Sequence, residues 1–231
     1  MLQIAWPGWG VSEIMWGIAD DSQSGGRASA GGEQIVTSPG AYWEATVTIP
    51  IGGEANRLLW DDFEARLQGR SGSVMLPADS KMPRPWPHAP VPTEKAYRIG
   101  VLGGVTRIIA HTGFAMTAVM ASNVLDGAVS IPITTTNCGL IRAGHVLQIG
   151  TRRYRVFSVD SFTPAPVGEP PIDTYSLTIW PPLRANANAG DAVELVNPCC
   201  EMRLIDPKGA RASWTHGLYA TVQIQFEEAL P

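Results

Sequence analysis

The chain has 231 residues, 45% hydrophobic and only 16% charged, which is enough for one large domain or two small ones, each with a real core. A formal net charge of -4 argues against a nucleic-acid partner, which would need a basic stripe. No apolar run reaches the roughly 18 residues of a membrane span, and the opening MLQIAWPGWG lacks the regions of a signal peptide, so synthesis and folding in the cytoplasm are expected.

Residues 1–40 are rich in Gly, Ser, Trp and Pro, with one short apolar stretch, Ile14–Ile18. The composition of 20–32 (DDSQSGGRASAGG) predicts a flexible loop. Trp43–Ile49 is the first clear strand: Trp43, Ala45, Val47 and Ile49 alternate with Glu44, Thr46 and Thr48. Pro50 should end it, and Gly52-Gly53 should turn the chain. The spacing then predicts a helix over 54–67, with an apolar stripe of Ala55, Leu58, Leu59, Phe63 and Leu67. Glu54 suits the positive end of its dipole, and Gly69 suits a left-handed cap. Asp61 and Asp62 point about 100° apart on such a helix, so they read as solvated residues and not as an acid/base pair.

Ser73–Leu76 is a short strand. The proline-rich stretch 77–92 is unsuited to helix or central strand and predicts an extended, semi-rigid arm with Trp86 as its anchor. Beyond it the pattern is all-β. Expected strands are Tyr97–Leu102, Val105–Ile109, Ala115–Met120, Val129–Ile133, Val146–Ile149, Arg153–Val159, Tyr175–Trp180 and Asp191–Val196. Strands at intervals of roughly ten residues make a small barrel or sandwich. The basic run Arg152-Arg153-Tyr154-Arg155 reads as a strand with a solvated face.

Glu201–Ile205 and Leu218–Phe226 close the chain. The last alternates like Trp43–Ile49 and nearly matches it in length, and an antiparallel pairing between it and the first sheet is expected. The fold class is therefore mainly β: a β-sandwich-like domain with one α-helix, built from 1–94 and 198–231, and an inserted small β-barrel or sandwich domain at 95–197.

Catalytic signatures are missing. His88, His111, His145 and His216 lie far apart and lack cysteines at zinc-ligand spacing. No nucleophile elbow, P-loop, H-E-x-x-H or dinucleotide fingerprint occurs, and Gly100–Gly104 reads as a turn. Asp160 and Asp173 flank a proline-rich loop. A glycosidase pair would have to face one groove, whereas loop aspartates ordinarily bond their own backbone. Cys138, Cys199 and Cys200 are expected to be reduced, buried thiols, since adjacent cysteines bridge only with strain.

Three stretches carry a resemblance. They are Ser38-Pro39-Gly40-Ala41-Tyr42-Trp43 through Pro50 with the helix that follows, Leu140-Ile141-Arg142-Ala143-Gly144-His145 through Gly150, and Leu177-Thr178-Ile179-Trp180-Pro181-Pro182-Leu183-Arg184 with Ala189-Gly190-Asp191. Asn197-Pro198 and the closing Gly217-Leu218-Tyr219 strand complete the order. From about residue 34 onward the chain resembles distal-tail or tail-tip hub proteins of long-tailed bacteriophages, a siphophage or related prophage. His145 stands where an acidic residue is more usual.

The resemblance implies a virion structural protein of the tail tip, or baseplate, made in the host cytoplasm. It implies a homo-oligomeric, sixfold ring that joins the tail tube protein to the tail hub and tip proteins. No enzymatic activity, cofactor, metal, specific nucleic acid or membrane span is expected. The alternative is a host-surface glycan-binding module of the tail tip, gripping sugar through Trp and Tyr. Trp16, Trp43, Trp86 and Phe226 are the candidate assembly contacts, and the 20–32 loop and proline arm are candidates for reaching a neighbouring subunit.

Overall fold

The computed structural model describes residues 3–7, 10–19, 23–27, 33–36, 40–78, 82–85, 98–102, 105–108, 116–164, 172–206, 210, 212–214 and 219–230. In chain order the strands before the helix are β1 (Gln3–Ala5), β2 (Glu13–Ala19), β3 (Gln23–Arg27), β4 (Glu33–Val36) and β5 (Tyr42–Gly52). Helix α1 (Glu54–Leu67) and β6 (Ser73–Pro77) follow. Then come β7 (Arg98–Leu102), β8 (Val105–Ile108), β9 (Thr117–Met120), β10 (Ser130–Thr136) and β11 (Val146–Ile149). The remaining strands are β12 (Arg152–Thr163), β13 (Ile172–Trp180), β14 (Val193–Glu194), β15 (Cys199–Leu204) and β16 (Tyr219–Glu228). The fold is mainly β, as the alternating patterns require.

The chain forms two compact units. The first comprises Met1–Ser80, Thr151–Arg153 and Cys199–Pro231; the second comprises Lys81–Gly150 and Tyr154–Pro198. The first division thus falls at 80/81, ahead of the 94/95 expected from sequence, and three residues of the expected insertion group with the first unit. Residues 82–85 show why. Arg84 donates from Nε to the Val196 carbonyl, and the Pro85 carbonyl accepts the Gly139 N–H at 3.1 Å. That part of the proline-rich segment is docked within the second unit and is not a free-standing arm. Trp86 lies outside the described residues.

In the first unit the sheet order is β1-β6-β15-β16-β5-β2. β16 pairs antiparallel with β5 over nine positions, from Tyr219↔Gly52 to Glu227↔Glu44, which places the closing strand in the first sheet as expected and identifies its partner. Strand β5 runs through Pro50 to Gly52. The Thr48 carbonyl accepts from Ser12 N at 3.0 Å on the β2 side, and β2 pairs no further along than Thr48. The missing Pro50 N–H therefore faces a side where no partner strand remains among the described residues, and costs no ladder bond there.

Inward Trp43, Val47 and Ile49 pack with Val222, Ile224 and Phe226, closed over by Trp60, Phe63 and Leu67 of α1. The buried helix face is thus 60/63/67. Leu58 and Leu59, expected in the stripe, are 63% and 46% exposed; they sit on the flank because the larger Trp60 and Phe63 rings set the helix rotation. Gly69 is left-handed as expected (φ 66°), and the turn begins one residue earlier, at the C-cap Gln68 (φ 47°), with Gly72 N bonding back to the Leu67 carbonyl at 2.9 Å. A Cβ on Gly72 would meet that oxygen at 2.6 Å, so only glycine closes this turn without displacement.

Part of the expected 20–32 loop is strand. β3 pairs antiparallel with β4, Gln23 opposite Val36. The pair is a two-stranded sheet of its own, distinct from the sheet that holds β2 and β5.

In the second unit the order is β14-β11-β12-β13-β10-β9. A bridge between Val119 and Ala192, with Met120 N bonded to the Asp191 carbonyl at 2.9 Å, brings β9 to β14 and makes the sheet nearly a barrel. Its core holds Ile131, Ile133, Tyr154, Val156, Leu177 and Ile179. Two register shifts interrupt the β12–β13 ladder, at Phe157 and at Asp160. β7 and β8 form a separate antiparallel pair. Among the described residues no helix is long and apolar enough to cross a membrane.

Candidate functional site

Two features of the molecule have the makings of a recognition surface. The first is the β2 margin of the first unit. β2 has seven residues, pairs with β5 without a register break, and is the last strand of its sheet. Edge strands are usually blunted by charged side chains, Pro or a bulge; β2 carries one charge, Glu13 at its first position, and no Lys, Pro or bulge. Ile14, Trp16 and Ile18 lean on the core, while Met15, on the opposite face, is 52% exposed.

Behind β2 lies a buried polar cluster. The guanidinium carbon of Arg153 sits 3.9 Å from the Trp16 ring centroid and 4.7 Å from that of Trp43, and the two indoles meet edge to face at 5.9 Å. The Trp43 indole N–H donates to the Arg153 carbonyl at 2.7 Å. Trp43 N donates to the buried Glu228 carboxylate at 3.1 Å, and Arg152 stands 3.7 Å from the same carboxylate. Arg153 is only 3% exposed, which overturns the solvated-face reading of the basic run for this residue; Arg155 is the exposed one. Stacking on two rings is what lets a cation be buried here.

The sequence-chosen assembly contacts therefore fall unequally. Trp43 and Phe226 are fully buried in their own unit, so neither ring presents surface to a neighbour. Trp16 is half-buried at the margin, and its ring nitrogen is buried without a hydrogen-bond partner among the described residues.

The second feature is the outer face of the β10–β13–β12 sheet. On β10 and β13 the residues alternate, with Ile131, Ile133, Leu177 and Ile179 facing in. Cross-strand rows on the other face read Ser130–Thr178–Ser158 and Thr134–Thr174–Thr163, with Pro132–Ser176–Ser161 between them. The bulges at Phe157 and Asp160 keep the hydroxyls of β12 in these rows and add two outward side chains. Phe157 is 72% exposed. Asp160 accepts from Ser158 Oγ and Thr178 Oγ1, both at 2.7 Å, and these bonds hold its carboxyl below the ordinary carboxylate range. Asp160 and Asp173 are thus strand residues, and Asp160 bonds neighbouring side chains where a turn residue would bond its own backbone.

No family model matches the chain, and no curated protein matches it in sequence.

Groups that could do chemistry are poorly placed for it. Burial, with Asp173 adding to it, pushes the Cys138 thiol up to about 12, and burial also raises the Cys200 thiol. Neither is a ready thiolate at neutral pH. The His145 ring is pushed down by burial and by Arg142, and its Nδ1 accepts the Arg142 N–H at 3.1 Å. Among the described residues no three His, Cys, Asp or Glu side chains group as metal ligands. The other three histidines lie outside the described residues.

The sequence offered signals for part of this. The hydroxyl rows are visible in SIPITTT and DTYSLTIW once both are read as strands. The burial of Arg153 had no local signal, because it depends on indoles more than a hundred positions away.

Proposed function

We propose that this chain is a structural, non-catalytic subunit of the tail tip of a long-tailed bacteriophage. Copies of it form a ring, sixfold as the resemblance implies, between the tail tube and the hub proteins. The observation that carries the reading is the β2 margin, the last strand of its sheet among the described residues. A strand edge whose outer side has no partner strand among the described residues, with half-exposed apolar side chains, is suited to being covered by another chain. A head-to-tail contact between two different surfaces closes into a ring when its rotation divides a full turn.

The test is the mass of the purified full chain in solution, followed by its location in assembled particles. Introducing Lys at Met15 puts a charge beside the edge without touching the core. That variant should remain folded and lose the oligomer. Undiminished assembly of the variant would count against the β2 margin as the contact.

A further inference from the structure

The hydroxyl-covered sheet face of the second unit is a different kind of surface, and nothing in ring assembly requires its composition. A solvated antiparallel face ordinarily carries Lys, Arg and Glu, which keep it from pairing with other proteins. Here the three cross-strand rows hold hydroxyls and one proline, and Asp160 is the lone charge among them. The next charged side chain is Arg155, one row on, opposite the half-buried Trp180.

We propose that this face binds a neutral, polyhydroxylated polymer, a glycan chain lying across β10, β13 and β12. The partner is identified by what the face offers. Ser158 and Thr178 donate their protons to Asp160, so their oxygens present only acceptor lone pairs outward. Ser130 and Ser176 stand 3.5 Å apart and can exchange donor and acceptor roles. An array of this kind is satisfied by a partner whose own groups are hydroxyls that both give and take protons. Strands about 4.8 Å apart and alternate residues roughly 7 Å apart repeat these groups on a flat lattice, which suits an extended chain better than a compact ligand. Phe157, at 72% exposure, offers its face to the apolar C–H surface of a sugar ring. Nucleic acid and anionic membrane would need a basic face, and a protein partner would need an apolar centre with several aromatic anchors. The rows supply no basic group, and beyond Phe157 their apolar neighbours are single aliphatic side chains at the margin, Val119 beside Thr134 and Ile172 opposite Thr136.

The site uses Phe157, Asp160 and the hydroxyls of two bulged strands, not the Trp and Tyr side chains that composition alone would nominate. It is independent of the ring, so loss of glycan binding with intact assembly, or the reverse, separates the two proposals.

The experiment is affinity electrophoresis of the full chain through gels carrying neutral glucan, galactan or mannan, or a sulfated polymer. The variants are Phe157→Ala, Asp160→Asn and Ser161→Arg; Leu125→Ala is a control at another exposed position. The native chain and the control should be retarded by at least one neutral polymer. Phe157→Ala and Ser161→Arg should each weaken retardation about tenfold or more, and Asp160→Asn should weaken it less, with unchanged circular dichroism. Three results would overturn the proposal: no retardation by any neutral polymer, retardation by the sulfated polymer alone, or retardation that survives both Phe157→Ala and Ser161→Arg.

Discussion

Replacing Trp43 by Phe tests the buried cluster in the first unit. Three losses follow from its geometry. The Arg153 carbonyl, bonded by the indole N–H at 2.7 Å, is left without that donor in a dry site, costing about 1–3 kcal/mol. The smaller ring covers less of the guanidinium now 4.7 Å away, costing about 0.5–1 kcal/mol. The void left by the missing part of the indole, in a fully buried position, adds about 1–2 kcal/mol. Together these give about 2.5–6 kcal/mol, which at about 4–8 °C per kcal/mol for a unit of roughly 100 residues lowers the midpoint by about 10–45 °C. Trp16→Phe is the internal comparison. That ring keeps a guanidinium at 3.9 Å, but its nitrogen has no partner to lose among the described residues, so its cost should be smaller by about 1–2 kcal/mol. Thermal unfolding followed by near-ultraviolet circular dichroism reads both. A drop of less than about 1 kcal/mol for Trp43→Phe, or equal costs for the two variants, would refute the hydrogen-bonded stack.

Further outcomes follow from other parts of the molecule. Phe226→Ala, in the same core, should cost about 3–5 kcal/mol, whereas Leu58→Gln on the exposed flank of α1 should change stability by less than about 0.5 kcal/mol; urea titration of each checks the helix rotation. With its pKa raised from 9.0 to about 12, Cys138 should react with a disulfide reagent at pH 8 roughly a thousandfold more slowly in the native chain than in urea. Because the folded value is the higher one, its contribution to stability is complete below pH 9 and is lost as pH rises toward 12. The Asp160 carboxyl should titrate below 3.8, so its linked stabilisation is present above that pH and disappears on acidification through the folded value. Ser158→Ala should move its titration, followed by NMR, back toward the ordinary range.

Several elements were legible in the sequence because their burial has a simple period. Trp43–Ile49 and Leu218–Phe226 alternate cleanly, and their matching patterns were enough to put the closing strand in the first sheet. Helix α1 was found at its observed limits, but its rotation was missed: Leu58 and Leu59 fit the stripe as well as Trp60 does, and only ring volume in the core decides between them. β1, with three residues, is too short for a periodic signal, and β3 is made of polar and glycine residues held by cross-strand bonds. The outer face of the second unit was hidden for another reason. The bulges at Phe157 and Asp160 break the period-2 pattern of β12, so its hydroxyls join those of β13 only when the actual register is known. Arg153 is the clearest case of tertiary context overriding a local pattern.

The central claim, that this chain is a ring-forming subunit of a tail tip, is tested most directly by cryo-electron microscopy of the assembled particle. The expected result is several symmetry-related copies in a closed ring at the end of the tail tube, with the β2 margin of each covered by its neighbour. A single copy, a location away from the tail, or a ring in which β2 faces solvent would contradict it.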